Sequence, residues 1–152
     1  MYKKNFLLML VLFIVNPLSA LAMPIPIASI QQLDFLKNSF SLAEYQDCQL
    51  RVEKCPSYQN TNHATCIASV IKQCPSCQQT SQLANFLGVF ISQISISTFG
   101  QFKKVVVYFP GDGGSIFYLI SPAGQLLNTI NPDSLKRDDF PVNLQTFFPH
   151  KK

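Results

Sequence analysis

Five cysteines, Cys48, Cys55, Cys66, Cys74 and Cys77, fall within one thirty-residue stretch of a 152-residue chain. Thiols this close together support three chemistries: structural disulfides, thiol–disulfide exchange, and metal ligation. The odd count leaves one thiol without a partner in any scheme of bridges. The closest pair forms Cys74-Pro75-Ser76-Cys77, a CxxC. A cysteine at the start of a helix has its thiolate stabilised by free amides and the helix dipole, and Cys77 sits where a helix should begin.

The elements that must position these thiols follow from local signals. Ser41-Leu42-Ala43-Glu44 is a capping box with Phe40 and Tyr45 at the staple positions, which predicts a helix from Leu42 to about Cys55, stopped by Pro56. Asn62 can cap a second helix from His63 to about Cys74, stopped by Pro75. Facing residues of an antiparallel helical hairpin have nearly constant sums of sequence number, a rule that Cys55–Cys66 and Cys48–Cys74 both satisfy. On the first helix the seven-residue step from Cys48 to Cys55 returns within about 20° of the same face, while the eight-residue step from Cys66 to Cys74 is about 80° off. The expected bridges are therefore Cys55–Cys66 and Cys48–Cys74, with Cys77 as a free or intermolecular thiol, through which a disulfide-linked homodimer could form.

The alternative is catalytic exchange by Cys74 and Cys77. In thioredoxin-like enzymes the first cysteine attacks and an apolar strand leads into the motif, whereas the lead-in here, Ile67 to Gln73, reads as helix. A zinc site built from Cys55, His63, Cys66, Cys74 and Cys77 matches no common ligand spacing, and exported thiols tend to oxidise first. The chain carries no pattern calling for a cofactor or a resident metal. Pro110-Gly111-Asp112-Gly113-Gly114 lacks the following helix of a phosphate cradle and the several oxygen ligands of a calcium loop, so it reads as a hairpin turn.

Residues 1–22 read as a cleavable signal peptide: Lys3 and Lys4, an apolar run from Phe6 to Val15, and small residues before a cut after Ala22. The run is short of the roughly 20 residues of a membrane span, and no later stretch is long and apolar enough to form one after cleavage. After residue 22, ten basic residues face eight acidic ones, a net of only +2, with no clustered basic face for nucleic acid. These features imply an exported protein, periplasmic or secreted, in a compartment where disulfides persist.

Residues 23–152 are expected to form one α+β domain. Its helical half spans 29–94. Ser29 caps a short helix carrying Ile30, Leu33 and Leu36, and Ser76 with Gln79 opens a third helix whose apolar face runs from Leu83 to Ile94. Ile94-Ser95-Ile96-Ser97 alternates and offers a strand start at that boundary. A three-stranded antiparallel β-meander spans 103–130, and an aromatic, proline-interrupted tail spans 131–152. The first two strands are apolar at nearly every position, so both sheet faces need a cover, one of them unassigned. The functional expectation is a non-enzymatic interaction or assembly protein with a protein partner. The alternatives are the thiol–disulfide oxidoreductase above and a secreted effector.

Overall fold

A computed structural model of the protein describes residues 26–37, 40–57 and 59–148. The signal peptide, the Asn38-Ser39 helix stop and the last residues from His150 onward lie outside them. The fold is α+β, with an antiparallel sheet of five strands rather than three. The strands are β1 (Ile27–Gln32), β2 (Ile94–Phe99), β3 (Phe102–Tyr108), β4 (Ser115–Ile120) and β5 (Gln125–Thr129), in the spatial order β1-β5-β4-β3-β2. Strands β3 to β5 form the expected meander, and the two additional strands occupy its edges.

Both additions replace expected helix. The i, i+3 spacing of Ile30, Leu33 and Leu36 suggests a helix, but residues 27–32 pair with β5, and the register shifts between Ile27 and Ser29. A β-bulge there absorbs one residue and breaks the simple alternation that marks a strand. Only a single 3₁₀ turn forms, at Asp34–Leu36, with Leu33 as its N-cap and Leu36 as its last residue. At the other edge, the helix expected to reach Ile94 stops at Leu87. Gly88 adopts a left-handed φ of 73° and closes the helix as a C-cap. The alternating Ile94 and Ile96 then turn one face of β2 into the core.

Three α-helices are described: α1 (Leu42–Val52), α2 (His63–Gln73) and α3 (Gln78–Leu87). The Ser41 hydroxyl accepts from the Glu44 amide at 3.2 Å, and the Phe40 and Tyr45 rings lie 6.4 Å apart as a staple around that cap. Helix α1 ends at Val52, short of Cys55. The N-cap of α3 is Cys77 rather than Ser76, whose hydroxyl donates to Asp47. The Gln79 side chain instead receives the Ser41 amide at 2.9 Å and donates to the Phe35 carbonyl at 3.2 Å, tying α3 to the chain entering α1.

The sheet separates two apolar clusters. Ile94, Ile96, Val105, Val107, Ile120 and Leu126 pack with the buried faces of the helices. The opposite face is covered by the C-terminal segment: Phe102, Leu119 and Leu127 pack with Leu135, Phe140 and Leu144. The expected tail is thus the missing cover, built from 3₁₀ turns at Pro132–Ser134, Arg137–Asp139 and Val142–Phe147. Two-sided burial accounts for the apolar runs Val105–Val107 in β3 and Ile116–Ile120 in β4. One glycine fixes how the layers meet. Gly124, φ 84° in the β4–β5 turn, approaches residues 36 and 37 so closely that a β-carbon would lie 2.3 Å from the Leu36 carbonyl oxygen.

Candidate functional site

The structure bonds Cys55 to Cys66, with Cα atoms 5.7 Å apart. The second bridge joins Cys48 to Cys77, Cα atoms 4.9 Å apart, rather than Cys48 to Cys74. The correction has a local cause. The hairpin rule assumes that α2 continues straight to Cys74, but Pro75 ends it, and Cys74 is extended at φ −116°. The chain then turns through a 3₁₀ segment at Pro75–Cys77, and it is this turn that packs against α1. Tyr45, Cys48 and Val52 form the buried stripe of α1, and Cys77, fully buried, meets that stripe. Cys77 is therefore neither free nor placed for a disulfide-linked homodimer.

The free thiol is Cys74, which is buried. Its sulfur lies 2.8 Å from the Ser76 hydroxyl, which donates to the Asp47 carboxylate, which in turn pairs with Arg51 at 3.2 Å. The Ser76 hydroxyl, with the Arg51 guanidinium second, holds the Asp47 carboxyl below its ordinary value. The CxxC is thus divided, its two sulfurs serving different partners. Four of the five sulfurs are committed to bridges, and no cluster of three ligating side chains occurs among the described residues.

Beside this framework lies a cavity of about 400 Å³, at the small end of the range for small-molecule sites. Its walls come from five separate stretches: α1 with the Cys55–Ser57 loop, His63 at the start of α2, Thr80 of α3, the 3₁₀ turn Ile91–Gln93 running into β2, and the β3–β4 hairpin at Tyr108–Pro110. Both Cys48 and Cys55 line it, so each disulfide fixes one part of its wall.

Two buried polar side chains brace the walls. The Tyr45 hydroxyl donates to the Ile94 carbonyl at 3.3 Å and accepts the Ile96 amide at 3.1 Å. These are backbone groups of an edge strand, so α1 covers the free side of β2 at this point. His63 begins α2, as the sequence suggests, and is buried there. Its Nδ1 lies 2.7 Å from the Pro56 carbonyl and its Nε2 2.9 Å from the Ser92 hydroxyl. A carbonyl can only accept, so Nδ1 carries the proton, and in the neutral ring Nε2 accepts from Ser92. Both nitrogens are thereby occupied in tying the Pro56 loop to the turn before β2.

Two features are left over. The Thr80 hydroxyl is buried without a hydrogen-bond partner among the described residues, an arrangement native structures seldom leave. Glu53 is the single formally charged residue among the lining side chains. Neither feature is visible in the sequence, because the cavity joins segments as far apart as Tyr45 and Pro110.

Burial holds the Tyr45 hydroxyl above its ordinary value, opposed by the Ile96 amide and helped by the charge of Glu53. The folded state therefore keeps this proton to higher pH than the unfolded chain. Its contribution is complete below about pH 10 and is lost as pH rises through the folded value. Tyr45→Phe is expected to cost about 1–3 kcal/mol at neutral pH, because the Ile96 amide loses its acceptor, and to flatten the alkaline fall in stability. Urea unfolding of both chains at neutral and alkaline pH measures the two effects separately.

The architecture defined by these observations is a five-stranded antiparallel sheet carrying a disulfide-pinned helical layer on one face and a 3₁₀-rich C-terminal cover on the other. Comparison of the chain with known proteins finds no match, whether to a family model, a curated protein or a solved structure. The two disulfides indicate an oxidising environment, extracellular or periplasmic, and no helix among the described residues is long and apolar enough to cross a membrane.

Proposed function

We propose that the protein is exported to the envelope or extracellular space and acts there as a non-enzymatic interaction module, recognising its partner through the cavity beside the disulfides. The observation that supports this reading is the construction of that cavity. Its walls come from five chain segments, cross-linked by Cys48–Cys77 and Cys55–Cys66 and tied by His63 and Tyr45. Fixing a pocket before its ligand arrives lowers the entropy lost on binding. An assembly role with a protein partner belongs to the same proposal, with contact through this face rather than through Cys77.

A neutral fluorophore that brightens in apolar surroundings, N-phenylnaphthylamine, tests the reading. The mature protein should bind it saturably with one-to-one stoichiometry. Gln49 is an exposed α1 residue on the cavity wall, so Gln49→Trp should obstruct the cavity and weaken binding at least tenfold without lowering the melting temperature. Absence of saturable binding, or unchanged binding by a folded Gln49→Trp chain, refutes the proposal.

A further inference from the structure

The charge of the cavity narrows what it can hold. Among its lining residues there is no lysine, arginine or aspartate, and Glu53, the last residue capping α1, is the one carboxylate. No ion-pair partner of Glu53 occurs among the described residues, whose two salt bridges are Asp47–Arg51 and Lys104–Asp133. The field of this carboxylate extends into the wall, since it adds to the forces that keep Tyr45 protonated. The polar groups of Tyr45, His63 and Gln93 are already engaged within the protein. Gln49, Ser57, Thr80 and Ser92 add neutral polar groups, and the rest of the walls offers aromatic and aliphatic side chains such as Tyr108, Phe109, Val52 and Ile91. An anionic ligand would meet repulsion here although the whole chain carries +4, and a neutral ligand would gain nothing from the exposed Glu53 carboxylate at the rim.

We infer that the cavity takes a small organic cation, an ammonium group on an aromatic or aliphatic body, with the cation at Glu53 and the body against the apolar walls. The occupant of the cavity itself is a free small molecule, in keeping with a volume of about 400 Å³, and a protein partner would meet the face around it. Aromatic side chains among the lining, Tyr108 and Phe109, suit a cation further, because a ring face attracts positive charge. Part of the apolar wall belongs to the β3–β4 hairpin (Phe109, Pro110), so ligand and turn share a boundary. This inference rests on the cavity being the binding site, and its test separates the two.

Phenethylamine, phenethyl alcohol and phenylacetate have the same body and differ in charge, and their affinities can be measured by ligand-observed NMR at neutral pH. The amine is expected to bind about fivefold more tightly than the alcohol, the scale of one partly exposed ion pair, and the carboxylate more weakly than either. Glu53→Gln should abolish the difference between amine and alcohol while leaving alcohol binding within twofold. Equal binding of amine and alcohol by the native chain, or an amine preference that survives Glu53→Gln, overturns the inference and leaves the cavity as a binding site. Failure of all three compounds together with N-phenylnaphthylamine overturns the site itself. A lysine-containing peptide that matches the amine would overturn the assignment to a free small molecule.

Discussion

Replacing Cys48 and Cys74 together by alanine is expected to lower the free energy of unfolding by about 3–4 kcal/mol relative to Cys74→Ala alone, through loss of the bridge that closes 29 residues between Cys48 and Cys77. The magnitude follows from the chain entropy that the cross-link removes from the unfolded state. The same reasoning gives about 3 kcal/mol for Cys55–Cys66, which closes 11 residues. The single variant Cys48→Ala should lose less. Its released Cys77 lies one hydrogen-bonded turn from Cys74, the Cys77 amide donating to the Cys74 carbonyl at 3.1 Å. Residues three apart in such a turn come within disulfide reach, so Cys77 should close onto Cys74 and restore a small loop. Peptide mapping without reductant should find Cys74–Cys77 in Cys48→Ala and Cys48–Cys77 in the native chain. A double variant as stable as its Cys74→Ala reference would refute the role of the long bridge.

That pairing shows how far local reasoning reached. The helices at 42 and 63, the hairpin between β3 and β4, and the turn before β5 each carry their own caps, prolines or glycines, so short stretches specify them. The bond from Cys55 to Cys66 spans one loop and obeys the same locality. Choosing between Cys74 and Cys77 did not. The two differ by one 3₁₀ turn, and what decides between them is the packing of that turn on Tyr45, Cys48 and Val52. Strand β1 is hidden for a related reason. A bulge shifts its register, and Ile30 is left 43% exposed, so its residues imitate a helical spacing until β5 is present to pair with them. The cavity has no local signature at all. Glu53 is one of eight acidic residues in the sequence, and it becomes distinctive only when the fold places it among side chains from five segments.

The second large effect is expected on the other face of the sheet. Phe140→Ala should cost about 3–5 kcal/mol, the range for removing a buried phenylalanine without collapse of the space it filled. Phe140 is buried, its ring stacked 5.1 Å from that of Phe102 and tilted against that of Phe148 at 4.9 Å, within the cluster that includes Leu119, Leu127 and Leu144. Phe140→Leu keeps most of the apolar area and loses the ring contacts, so it should cost only about 1–2 kcal/mol. Guanidinium unfolding gives both values, and faster amide exchange in β3, β4 and β5 should accompany the alanine variant. A loss below 1 kcal/mol would mean that the C-terminal segment merely rests on the sheet. The two layers also make separate claims. The cavity is formed on the helical side, so Phe140→Ala should leave the affinity of the folded fraction for N-phenylnaphthylamine unchanged while stability falls. Binding that weakens in proportion to stability would show that the covered face helps to set the shape of the cavity through the shared strands.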